Sequence, residues 1–226
     1  MDKNLAIVLV SGGLDSCVVA AIAHQHHKTA FLHVNYGQRT EERELKAFND
    51  IAGYYHVKRR LVADISYLKK IGGSSLTDET IKIEQPKLNT NETPSTYVPF
   101  RNTHLLSIAT SWAEVIGANQ IFIGAVEQDS SGYPDCRITY FKAFNQLIEK
   151  GTKPDTYITL KTPIINLKKK DIIIKGMELK VPLHLTWSCY KNNDKACGIC
   201  DSCFLRLRGF KEAGLKDPIS YENPKC

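Results

Sequence analysis

Nowhere in the 226 residues does an apolar run approach the length of a membrane span, and Met1-Asp2-Lys3-Asn4 lacks the basic-then-apolar layout of an export signal. These absences point to a soluble, unexported, cytoplasmic protein. A strong charge excess is missing too. The formal charge is +6, spread along the chain, with local density at Lys58-Arg59-Arg60 and Lys168-Lys169-Lys170. That balance suits an anionic small substrate about as well as RNA. No aromatic-and-basic stripe marks a nucleic-acid face, so no stable nucleic-acid partner is expected. A disulfide framework is also excluded: Cys17, Cys136 and Cys226 are isolated, whereas Cys189, Cys197, Cys200 and Cys203 fall within one short segment, as metal ligands do. What the chain does have is 42% hydrophobic content, enough for one sizeable α/β core with a small appendage.

The most informative stretch is Ser11-Gly12-Gly13-Leu14-Asp15-Ser16, between the apolar run Leu5 to Val10 and a helix-like run Cys17 to His24. It reads as strand, tight turn, helix. Gly12 and Gly13 allow positive φ and close backbone approach, and the helix start adds N–H groups and positive partial charge, so the turn suits an anion. Ser11 and Ser16 supply hydroxyls at its rims. Asp15 would repel a bare anion and makes sense with Mg²⁺ between carboxylate and phosphate. The bland alternative is an ordinary turn in which Ser11 or Asp15 merely caps the helix. There is no Gly-Lys-Ser/Thr ending and no dinucleotide-fingerprint spacing, so neither of those nucleotide motifs is present.

Further along, Ala30 to Val34 reads as a second strand running into Asn35-Tyr36-Gly37-Gln38-Arg39. Ligands of doubly wound sheets bind outside the carboxyl ends of strands, so this loop and the Ser11 turn are expected to share a crevice. Thr40 to Tyr54 follows as an amphipathic helix whose Glu41, Glu42 and Glu44 read mostly as complements to its dipole. His24, His26 and His27 read as solvated surface. Leu61 to Ala63 is a weak strand. Ser66 to Thr96 shows no periodicity and reads as a long loop, either a lid or a disordered segment. A strong helix, Thr103 to Ile116, carries Arg101 and Asn102 at its N-terminus, where a carboxylate or phosphate could be held by a guanidinium fork and backbone N–H groups.

The strand Gln120 to Ala125 opens into a polar loop containing Asp129, Tyr133, Asp135 and Arg137, groups suited to a flat heterocycle bearing an acid. Cys136 within it reads as a small buried residue. A helix from Tyr140, a short strand at Ile158 to Leu160 and a basic helix from Asn166 to Lys175 complete the core. In the last segment, Cys189 and then Cys197-x-x-Cys200-x-x-Cys203 supply four thiolates for one tetrahedral Zn²⁺ with no open position for water, hence a structural site.

The Ser-Gly-Gly-x-Asp-Ser turn resembles the PP-loop of N-type ATP pyrophosphatases. Val34 to Arg39, Val98-Pro99 with Arg101-Asn102, Ser131 to Arg137, Leu167 with Lys169 and Asp171, and Thr186 to Tyr190 followed by the four-cysteine segment together resemble the 7-cyano-7-deazaguanine synthase (QueC) family, in order from residue 6 to about residue 210. The resemblance implies a Rossmann-like, doubly wound and mostly parallel sheet over residues 1–185, with a zinc-binding segment at 186–226. It implies conversion of 7-carboxy-7-deazaguanine and ammonia to the nitrile with ATP, through an adenylated carboxylate and an amide, in queuosine biosynthesis.

By the same resemblance Val10, Ser11, Gly12, Gly13, Leu14, Asp15 and Ser16 bind ATP, Asp15 holds Mg²⁺, Lys169 meets a phosphate and the backbone after Phe31 meets adenine. Tyr36, Gln38, Arg39, Arg101, Asn102, Asp129, Tyr133, Asp135 and Arg137 form the expected substrate side, and a homodimer is implied. Phe100, where the family often has Gly, Ser130 and Ile138-Thr139 depart from the family pattern. A relative passing the acyl adenylate to another amine, or a zinc-bearing RNA-modifying protein using Cys17 or Cys136, are the alternatives.

Overall fold

A computed structural model of the chain describes residues 5–83, 92–127 and 132–223. Its centre is β1 (Leu5–Leu9), five consecutive apolar residues buried on both faces, the pattern of a strand inside a parallel sheet. β2 (Lys28–Asn35) and β4 (Gln120–Phe122) pair with it in parallel. β3 (Arg60–Asp64) and β5 (Thr159–Lys161) form the edges, giving the order β3-β2-β1-β4-β5. Alternation along β1 divides the core. Leu5, Ile7 and Leu9 face α4 (Arg101–Ile116) and α5 (Ile138–Gly151) through Leu106, Ala109, Phe141 and Phe144. Ala6, Val8 and Val10 face α1 (Leu14–His24), α2 (Glu41–Tyr54) and α6 (Lys169–Glu178) through Val18, Phe48, Ile51, Ile172 and Ile173. The doubly wound fold expected from the sequence is the one observed. The chain turns opposite ways from β1 to its two neighbours, which opens a crevice at their carboxyl ends.

Several elements differ from the sequence reading. α1 begins at Leu14, three residues early, because Gly13 is itself the extended N-cap. β4 stops at Phe122 and not Ala125, since Ile123 leaves the ladder after one last bond from its N–H to Lys161 O (3.1 Å). The described part of the long Ser66 to Thr96 segment is built into the fold: it contains α3 (Tyr67–Ile71), buries Ser74 to Thr77, and ties Ser75 N–H to Ser95 O at 2.8 Å. His27 is half-buried against the Phe122 ring, whereas His24 and His26 are exposed as expected. Among the described residues no helix is long and apolar enough to cross a membrane.

The C-terminal segment adds α7 (Asp201–Glu212), which packs on α6 so closely that a Cβ at Gly209 would meet Lys169 Cγ at 2.5 Å. Arg206, only 2% exposed, ties the segment together. Its Nε and Nη2 donate to the Asp217 carboxylate (2.7 and 3.0 Å), its Nη1 to Thr186 Oγ1 (2.7 Å) and its Nη2 to Leu183 O (3.2 Å). Tyr221 OH donates to the same carboxylate at 2.7 Å.

Candidate active site and metal centre

The crevice holds an open cavity of about 740 Å³, with the Ser11 turn as its floor. Gly12 has φ of +89°, and a Cβ there would meet Glu44 O at 2.6 Å, so this position requires glycine. Gly13 does not share the positive φ expected of it and lies in the extended region at −79°. The turn is held by side chains: Gly13 N–H donates to Ser11 Oγ (3.2 Å), Ser16 Oγ to Gly13 O (2.9 Å) and Ser11 Oγ to Ser16 Oγ (3.2 Å). Behind it, the start of α1 presents helix N-terminal N–H groups to the cavity wall. Gly124, after β4, presses on this turn from the other side; a Cβ there would sit 3.0 Å from Asp15 C and Ser16 N. Nothing in the sequence marked Gly124, because its constraint is a contact with the first turn of α1, more than a hundred residues away in the chain.

Asp15 and Lys169 meet across the cavity, Lys169 Nζ lying 2.9 and 2.7 Å from the two carboxylate oxygens. α6 delivers the lysine from more than 150 residues away. Trp187 closes the same end, its backbone N–H donating to Gly12 O at 2.8 Å, with the Arg43 guanidinium 4.4 Å from its ring centre.

On the opposite wall, Arg101 donates from Nη1 to Tyr36 OH (3.2 Å) and lies 5.1 Å from the centre of that ring, while its buried Nε has no hydrogen-bond partner among the described residues. Burial raises the Tyr36 phenol to about 12 against the opposing effect of Arg101, so it remains protonated. Asn102 and Tyr133 also line the wall, Tyr133 OH being 2.6 Å from Thr96 Oγ1.

Other expected substrate residues lie behind the wall. Gln38 accepts Tyr36 N–H at Oε1 (2.8 Å) and donates to Glu44 Oε2 (3.2 Å). Arg39 Nη2 binds the carbonyls of Asp78 and Ile81, both at 2.7 Å. Asp135 is buried beneath α4 and accepts Asn102 N–H at 2.9 Å, while Asn102 Nδ2 returns a bond to Asp135 O (2.8 Å). Arg137 is exposed at the head of α5. Asp129 and Ser130 lie outside the described residues. Phe100 takes the left-handed φ of 59° that favours glycine, which accounts for the departure noted there being a departure towards strain.

Of the two cysteines considered as nucleophiles, Cys17 is fully buried in the core, and desolvation pushes its thiol up to about 12. It is inert where it stands. Cys136 is buried on the cavity wall, accepting Asn102 Nδ2–H at 3.4 Å. Glu44, read as a dipole complement, instead turns towards the cavity, a placement that requires knowing that α2 abuts the Ser11 turn.

At the other end of the segment the sulfurs of Cys189, Cys197, Cys200 and Cys203 lie within 4.8 Å of one another, all buried. Tetrahedral bonds of about 2.3 Å place sulfurs roughly 3.8 Å apart, and Cys197 Sγ to Cys203 Sγ is 3.9 Å. Backbone N–H groups of Lys191, Asn192 and Cys197 point at Cys189 Sγ (3.4, 3.3 and 3.3 Å), and that of Cys200 at Cys197 Sγ (3.3 Å). Such donors stabilise thiolates in a closed metal site. Hydrogen bonds from neighbouring thiols already hold Cys189 far below its ordinary range. The donor set fits a four-coordinate metal centre.

A doubly wound parallel α/β sheet with a Ser-Gly-Gly-x-Asp-Ser turn at its switch point, joined to a buried four-cysteine cluster that could hold a metal ion, is the PP-loop ATP pyrophosphatase-like architecture expected from the sequence. Within that class the chain belongs to the family described as queuosine biosynthesis protein QueC, whose model matches residues 5–214. A 7-cyano-7-deazaguanine synthase of Chloroherpeton thalassium is 59% identical over 218 residues, 96% of each chain. One from Chlorobium phaeobacteroides strain BS1 is 58% identical over the same span and coverage.

Proposed function

We propose that the protein is an ATP-dependent C–N ligase that converts 7-carboxy-7-deazaguanine and ammonia into 7-cyano-7-deazaguanine, a step of queuosine biosynthesis. The observation that carries the reading is the family match across nearly the whole chain, together with close relatives bearing the synthase name. The cavity supports it, with an anion cradle on its floor and a cationic, aromatic wall opposite.

A carboxylate is a poor electrophile until one oxygen becomes a leaving group. In this reading the substrate carboxylate is oriented by Arg101, whose Nε supplies an unsatisfied donor, and attacks the α-phosphorus of ATP bound along Val10 to Ser16, with adenine against the backbone near Leu32 and Val34. Pyrophosphate departs against the N–H groups at the start of α1, preorganised donors, and the Ser11 and Ser16 hydroxyls, which now bond each other and Gly13 O, turn outward to add theirs. Lys169 leaves Asp15 to meet a phosphate, and Asp15 is then the residue to hold Mg²⁺, which supplies neutralisation of phosphate charge. In that reading the Asp15–Lys169 pair is the two halves of the phosphate grip engaged with each other.

Ammonia displaces AMP to give the amide, and a second adenylation on the amide oxygen, followed by loss of AMP, gives the nitrile. Positioning is the protein's main contribution, and no covalent nucleophile is required. Tyr133 and Asn102 face the deazaguanine ring, and Gln38 and Asp135 act by holding Tyr36 and Asn102. Zn²⁺ fits the four-cysteine centre as a structural ion, and we take the enzyme to be a cytoplasmic homodimer.

The test is incubation with ATP, Mg²⁺, ammonium and 7-carboxy-7-deazaguanine, followed by mass spectrometry. Two AMP and two pyrophosphate are expected per nitrile, with supplied amide converted as an intermediate. ADP and phosphate as products, or no nitrile, would overturn the reading.

A further inference from the structure

Glu44 is a carboxylate on the cavity lining to which the reaction outlined above assigns no task. Its backbone carbonyl abuts Gly12 of the phosphate cradle, and its side chain lines the cavity between that cradle and the wall bearing Tyr36 and Arg101. The carboxylate is fixed: Oε1 accepts Thr40 Oγ1–H at 2.7 Å and Oε2 accepts Gln38 Nε2–H at 3.2 Å, which leaves further lone pairs for a ligand. We infer that Glu44 receives ammonium and takes its proton, making the nitrogen nucleophile beside the acyl adenylate. This inference rests on the function proposed above.

Location decides between this role and reading the guanine edge. The charged groups facing Glu44 are Arg101 from α4 and Glu41 from its own helix, with the Tyr36 phenol beside it from the end of β2. If Arg101 holds the carboxylate, Glu44 lies next to the carbon that reacts, while the ring N–H and amino groups lie at the far end of the substrate. A second negative group beside an anionic substrate is unfavourable unless a cation sits there, and ammonium is the cation the reaction consumes. Desolvation raises the Glu44 carboxyl to about 7 despite the opposing hydrogen bonds from Thr40 and Gln38, so it is a better match to an ammonium donor than an ordinary carboxylate.

Ammonium passes one proton to Glu44, and the freed nitrogen lone pair forms the C–N bond to the acyl carbon. The C–O bond to AMP breaks with its electron pair on the departing phosphate, which takes the second nitrogen proton. Protonated Glu44 then returns its proton to solvent.

The experiment compares the parent enzyme with Glu44→Gln in two assays: substrate-dependent exchange of labelled pyrophosphate into ATP, and amide formation against ammonium concentration from pH 6 to 9. The variant is expected to keep exchange within a fewfold while kcat/KM for ammonium falls by about a hundredfold or more near pH 7, the scale of general-base loss. The deficit should shrink towards pH 9, where ammonia is increasingly free. Unchanged ammonium dependence would overturn the inference, and so would a deficit independent of pH. Loss of exchange in the variant would also overturn it, by placing Glu44 in adenylation or in the architecture. Absence of exchange in the parent would instead remove the proposed function itself.

Discussion

Asp15 joins the Ser11 turn to Lys169 at 2.7 Å, so Asp15→Ala removes both the carboxylate proposed to hold Mg²⁺ and the partner that keeps the lysine in place. AMP release by that variant is expected to fall by more than about a hundredfold, the scale of losing a major electrostatic stabiliser. Cys136→Ser should retain most activity, since the mechanism draws no electrons from that sulfur. Glu44 gives a prediction that needs no substrate. Its carboxyl rises from 4.5 to about 7 on folding because burial disfavours the charge. The folded protein therefore binds that proton more tightly, and the associated stability is fully present below about pH 4.5 and lost as pH rises through 7, by about 3 kcal/mol at most. Relative to the parent, the melting temperature of Glu44→Gln should improve between pH 5 and pH 8; a constant difference would mean that the carboxyl titrates normally. These two acids also show what the sequence could reveal. Asp15 sits within six contiguous residues whose types have one joint explanation, whereas Glu44 is one of three acids in a first helical turn. Only the packing of α2 on the cradle separates it from Glu41 and Glu42.

Elements were legible where their periodicity was long or their chemistry local. β1 announced itself as five uninterrupted apolar residues, and the four cysteines by their spacing, but α3 has only five residues, too few for a helical period to register. α7 was hidden because its first turn carries Cys203 and reads as metal motif, although Phe204, Arg206 and Phe210 continue along a helix. The contact between the end of β4 and the start of α1 was not legible at all. Gly124 adopts no glycine-only conformation; it is small because Asp15 and Ser16 pass over it. Gly124→Ala should therefore cost about 1–3 kcal/mol through overpacking and raise KM for ATP more than it lowers the melting temperature would suggest. Thermal melts together with ATP titration measure both quantities.

At the scale of the molecule, the four-cysteine cluster and the proposed ATP site are parts of one packed unit. Trp187 bonds Gly12, Arg206 spans Leu183, Thr186 and Asp217, and Cys203 lies one turn from Arg206 on α7. Removing one partner of a buried ion pair leaves an uncompensated charge, so Asp217→Ala should lose about 3–5 kcal/mol in denaturant titrations. Stripping the metal under reducing conditions should lower the melting temperature and weaken ATP binding in parallel, whereas an unaffected ATP affinity would separate the two. Metal analysis is expected to find one zinc per chain. The central position of β1 also sets a timescale. With β2 and β4 hydrogen-bonded on either side and helices over both faces, the amides of Ala6 to Val8 have no local route to solvent. Their deuterium uptake should track global unfolding alone and be the slowest in the chain. The Ser11 turn thus grows directly out of the last part of the molecule to open, so the residues proposed to bind ATP keep their anchor through every local opening.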